Sequence, residues 1–120
     1  MRLSIIAGLS VAVLVGVSAS GHPLPKSAAP KPNAVLSASP TEIRIGFSEG
    51  LVLAFTGLEL DDQNGTTIAT GAPSLDPSDS KVLIVPIAGK LSTGTYTVKW
   101  HAVGEDTHHV SGHYSFQVKL

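Results

Sequence analysis

Ten residues near the end of the 120-residue chain, GTYTVKWHAV (94–103), alternate between apolar and polar side chains. Tyr96, Val98, Trp100 and Ala102 fall on one side, and Thr97, Lys99 and His101 on the other. Successive Cβ atoms of a strand point to opposite faces, so this period suits a half-buried β-strand and not a helix. The same period recurs in TEIRIGFSE, with Ile43, Ile45 and Phe47 set against Glu42, Arg44 and Gly46. In HYSFQVKL it predicts Tyr114, Phe116, Val118 and Leu120 on the inward face. KVLIVPIA is a short apolar run rich in branched residues, and Pro86 predicts an edge position or a bulge there, because proline donates nothing to a ladder. LAFTGLELDDQNGTTIAT reads as strand, turn, strand, with Asn64-Gly65 as the tight-turn signal. No segment carries a convincing helical period. The expected fold is all-β: an immunoglobulin-like Greek-key β-sandwich of about seven strands, with Trp100 in its core.

The first residues do not belong to that fold. Met1 and Arg2 form a short basic start, SIIAGLSVAVLVGV is apolar and uncharged, and SASG offers the small residues that signal peptidase reads. Residues 1–21 are therefore expected to be a cleaved signal peptide and 22–120 the sandwich domain. The apolar run falls short of the roughly 20 residues of a membrane span. Ala19 and Gly21 suit cleavage that makes His22 the new N-terminus, and a cut one or two residues earlier fits the same small residues. The chain has no cysteine, so the domain is held by packing without disulfides, and no lipid anchor can be attached after the apolar run. Its one methionine is Met1, which leaves with the signal peptide, so no sulfur ligand remains. Eight Lys and Arg against nine Asp and Glu give a net charge of −1. So small a charge excludes nucleic acid or an anionic membrane as the main partner. HPLPKSAAPKPN (22–33) is rich in proline and is expected to run extended along a sheet edge.

Four of the five histidines, His101, His108, His109 and His113, lie close together, and the fifth is His22. Asp106 and His108 are two apart, which on an extended segment turns a carboxylate and an imidazole to one side. A hydrogen-bonded loop pair satisfies that spacing equally well. An N-terminal His22 offers two donors to one metal ion, the α-amine and ring Nδ1. Pro23 has no N–H, so the next backbone nitrogen cannot become a third ligand. A further donor must come from elsewhere; His108 is the candidate, and Asp106 can add an oxygen. Nitrogen-rich tetragonal sets suit Cu(II), which also heads the Irving–Williams order; Zn(II) is the competitor.

Two blocks carry a further likeness. HPLPKSAAPKPNAVLSASPTEIRIGFSEGL has a leading His, Ser-x-x-Pro and Phe-Ser-Glu; GTYTVKWHAVGEDTHHVSGHYSFQV reads Gly-x-Tyr-x-Val-x-Trp, Asp-x-His and Ser-Gly-x-Tyr-x-Phe. In these blocks the chain resembles the CopC family of periplasmic copper-binding proteins, which are cupredoxin-like or immunoglobulin-like sandwiches that serve copper resistance and uptake. The resemblance implies a non-enzymatic, periplasmic Cu(II) protein with His22, Asp106 and His108 as ligands. It also implies a CopD-like inner-membrane partner. The methionine-rich Cu(I) loop of some members is absent, so only the Cu(II) site carries over. His109 stands where relatives usually have a non-ligand, and with His101 and His113 it is expected at the surface. Glu105 alternates away from Asp106, and Glu49 reads as a loop hydrogen-bonding residue.

Two other readings fit parts of the pattern. Lytic polysaccharide monooxygenases also pair an N-terminal histidine with a second imidazole, but Asp106 here would fill a position that oxygen needs. A metal-free structural sandwich module explains the strands but not a histidine at the cleavage point.

Overall fold

The structure is a computed structural model, described for residues 22–120; the signal peptide expected over 1–21 lies outside the described residues. Among the described residues the chain forms nine strands: β1 (Pro25–Ala29), β2 (Val35–Leu36), β3 (Glu42–Phe47), β4 (Gly57–Asp61), β5 (Thr67–Ile68), β6 (Ser74–Asp76), β7 (Asp79–Pro86), β8 (Gly94–Val103) and β9 (His109–Val118). A single 3-10 turn covers Leu53–Phe55. One sheet has the order β1-β3-β7-β6 and the other β2-β9-β8-β4-β5. β2 runs parallel to β9 and the remaining pairs are antiparallel.

The alternating segments build the core. Ile43, Ile45 and Phe47 of β3 and Leu83 and Val85 of β7 are buried from one sheet. Leu60, Tyr96, Val98, Trp100, Ala102, Phe116 and Val118 meet them from the other. Tyr96 stacks on Phe116 at 5.7 Å, and Trp100 meets Phe47 edge-on at 5.3 Å, both within the range of favourable aromatic pairs. The proline-rich lead-in is the edge strand β1, with a register irregularity between Pro25 and Ser27. The β4–β5 turn is closed by Asp62, whose Oδ1 accepts from the backbone N–H of Asn64 and Thr66. Gly65 there has φ +82°, the left-handed region that glycine enters without strain.

Three expectations change. Nine strands stand where about seven were expected, because β2, with two residues, and β6, with three, are too short to show alternation. β7 is an interior strand, not an edge. Pro86 is tolerated as its last residue: its carbonyl accepts from Gly71, so its missing donor points past Ser74, where the pairing with β6 has already ended. Leu120 is 70 % exposed, because β9 ends at Val118 and the alternation outruns the sheet.

The indole of Trp100 lies over Gly112, its partner across β8 and β9. A Cβ at Gly112 would sit 2.6 Å from Cζ2 of that ring. Since Trp100 is already seated against Phe47, Gly112→Ala is expected to lower stability by about 1–3 kcal/mol, the usual effect of overpacking. Urea denaturation measures it.

Candidate metal centre

The β8–β9 hairpin turns at one end of the sandwich. Val103 pairs with His109, and the residues between them close a tight loop. The Gly104 N–H donates to the His108 carbonyl at 3.0 Å, and the Thr107 N–H to the Gly104 carbonyl at 2.8 Å. Thr107 has φ 73°, so the segment is a turn and not the extended stretch expected from the spacing of Asp106 and His108. The two side chains meet by another route. Asp106 Oδ1 accepts from the His108 backbone N–H at 3.1 Å, an Asx turn, and Asp106 Oδ2 lies 2.9 Å from His108 Nδ1. Asp106 thereby fixes the orientation of the His108 ring through Nδ1, the arrangement carboxylates commonly take behind a ligating histidine.

His22 arrives from the opposite end of the sequence. Pro23 behind it is buried. Its segment is laced to the loop after β3: the Ser48 N–H donates to the Leu24 carbonyl at 2.8 Å, the Leu24 N–H to Ser48 Oγ at 2.9 Å, and the Ser48 hydroxyl to the His22 carbonyl at 3.2 Å. The His22 and His108 ring centroids are 4.5 Å apart, inclined by 43°. Two imidazoles bound to one ion at about 2.0 Å and near a right angle place their centroids roughly 4.5 Å apart, so the spacing fits a shared metal.

Glu49, read from sequence as a loop residue, belongs to the same cluster. It is half-buried and contacts Asp106. A Cβ on Gly104 would fall 2.6 Å from Glu49 Oε1 and 2.9 Å from Asp106 Oδ1, so both carboxylates close over the bare Cα of Gly104. Burial, and then the neighbouring Asp106 charge, push the Glu49 carboxyl up. The hydrogen bond from His108 holds the Asp106 carboxyl below its ordinary value, against the opposing effect of burial. The Asp106–His108 pairing therefore stabilises the fold above the ordinary carboxylate pKa of about 3.9, and is lost as pH falls through the depressed one. Glu105 is turned to Gly50: its N–H donates to the Gly50 carbonyl at 3.0 Å, and its carboxylate covers the Gly50 Cα. His101, His109 and His113 are exposed, as expected.

The three candidate ligands thus share one end of the sandwich. Among the described residues no three His, Asp or Glu side chains already converge on a single point. Asp106 is instead engaged with His108 through both carboxylate oxygens. Two carboxylates therefore lie close together beside two imidazoles.

Comparison with known proteins agrees with the fold and the blocks. The CopC domain matches residues 25–119. Protein YobA of Escherichia coli (strain K12) is 42% identical over 90 residues, covering 75% of this chain and 73% of that protein. Copper resistance protein C of Pseudomonas syringae pv. tomato is 32% identical over 123 positions, covering 98% of this chain and 97% of that protein. The crystal structure of PcoC, a methionine-rich copper resistance protein from Escherichia coli, superposes with a TM-score of 0.75 at 33% identity, covering 82% of this chain and all of that one.

Proposed function

The chain belongs to the CopC family, and from that premise we propose that it is a non-enzymatic copper resistance protein that carries Cu(II) in the periplasm. In this reading the signal peptide is removed after Gly21, and His22, Asp106 and His108 hold the ion. Delivery is to a CopD-like inner-membrane copper transport protein. The observation that carries the proposal is the 4.5 Å approach of His22 to His108, which joins the first and last blocks of the domain beside the Glu49 and Asp106 carboxylates. A free His22 amine adds a chelating nitrogen beside that pair. Asp106 supplies negative charge to Cu(II) and, lying in the ligand cluster, occupies the space that an oxygen-activating centre keeps open.

Oxidation state follows from the donor set. Cu(I) prefers thiolate or thioether, and residues 22–120 contain neither cysteine nor methionine. Protons compete for the nitrogens: α-amines and imidazoles ordinarily titrate at about 7.7–8 and 6.5. The test is a competition titration of the exported protein, with its mass first checked for a start at His22. Cu(II) is expected to bind one tight equivalent whose affinity falls steeply from about pH 7.5 to about pH 5. Ascorbate-reduced copper is expected to bind far more weakly. Tight Cu(I) binding, or a Cu(II) affinity flat across that range, contradicts a site of one amine and two imidazoles.

A further inference from the structure

The outer face of the five-stranded sheet carries the three histidines that the centre does not use. His101 pairs directly with Ser111, and Val103 with His109. Residues directly opposite in an antiparallel pair share a face, so His101 and His109 are diagonal neighbours on the side away from Trp100 and Ala102. Both are exposed, and both line one cavity of about 310 Å³ with Ser111 and Phe55. His113 lies on the same face, opposite Lys99, but does not line that cavity.

We propose that His101 and His109 form a second, two-imidazole site for a divalent transition metal on this face, separate from the His22–His108 centre. Diagonal residues on antiparallel strands have Cα atoms roughly 7–8 Å apart, within reach of two long side chains closing on one ion. The His101 ring leans over Gly57 of β4, where a Cβ would meet its Cε1 at 3.4 Å, on the side of β8 away from β9. Turning it towards His109 is a rotamer change of an exposed side chain, a motion of picoseconds to nanoseconds. The nearest cation does not oppose binding, because Lys99 is held by Asp61 at 2.9 Å. Phe55, 63 % exposed, lines the same cavity. With two protein donors the remaining positions belong to water, so the site is weaker than the centre and exchanges faster. His109 follows His108 directly in the chain, which sets this seat on the same hairpin as the centre.

The proposal does not rest on the proposed function, and the test keeps them apart by using the His108→Ala protein that still carries Gly21, so that neither the second ring nor a free His22 amine completes the principal centre. Cu(II) alone is added in sub-stoichiometric steps while the imidazole proton resonances are followed by NMR. Paramagnetic broadening is expected at His101 and His109 together, before His113. In the His101→Gln, His108→Ala double variant, broadening His109 is expected to need about tenfold more Cu(II), because the second donor's effective concentration is lost. Broadening of His113 in step with His109, an unchanged His109 response in the double variant, or no broadening of either residue overturns the proposal.

Discussion

His22→Ala and His108→Ala, each made in the protein that begins at residue 22, are expected to weaken the tight Cu(II) equivalent by more than about 100-fold, since even groups behind a ligand cost 10–100-fold. The two losses differ in kind. Alanine at position 22 keeps an α-amine but removes the ring nitrogen that closes the chelate. Alanine at position 108 removes the imidazole that Asp106 orients at 2.9 Å, and leaves the Asp106 carboxylate crowded against Glu49 with no compensating partner in the loop. Asp106→Asn is expected to weaken binding less, by about 10–100-fold, because an amide oxygen can still engage His108 while the charge is gone. His113→Ala, far along β9 on the outer face, is expected to leave this equivalent unchanged. Competition against a chromophoric chelator reads all four. A His113→Ala loss as large as that of His108→Ala would falsify the assignment of the ligands to the hairpin turn.

The parts of this centre that the sequence revealed are those with a local signature. Histidine at a cleavage point followed by proline, and Asp-x-His beside a long alternating strand, can each be read within a few residues. Their joining could not: it depends on the Ser48 hydrogen bonds that hold the His22 segment, a separation of 26 residues. Glu49 was legible only as part of a motif, because its contact with Asp106 crosses the sandwich end and carries no periodicity. The Asp106–His108 pairing takes the hydrogen-bonded loop form that the spacing also allowed, an Asx turn through Thr107 in place of an extended segment. In the fold, alternation found β3, β8 and β9, whose inward residues reach zero or near-zero exposure. It failed at the short strands β2 and β6, and at Leu120, where the pattern continues after the partner strand has stopped.

Phe116→Ala is expected to destabilise the protein by about 3–5 kcal/mol, the usual result of deleting a large buried aromatic. Phe116 is 1 % exposed, stacks on Tyr96 and sits in β9 directly opposite it, so its loss opens a cavity between the two longest strands. At roughly 4–8 °C per kcal/mol for a domain of this size, the thermal midpoint should fall by at least about 12 °C. The strand that Phe116 anchors is the one that His108 immediately precedes, which couples this core position to the metal. An ion that binds only the folded state stabilises it by RT ln(1 + [L]/Kd), about 4.1 kcal/mol at free metal 1,000-fold above Kd. Saturating Cu(II) is therefore expected to restore most of the lost midpoint in Phe116→Ala, and to do so far less when His108→Ala is added. Calorimetric or circular-dichroism melts of the two variants, with and without Cu(II), carry the comparison. Equal rescue in both would place the stabilising metal away from the hairpin turn.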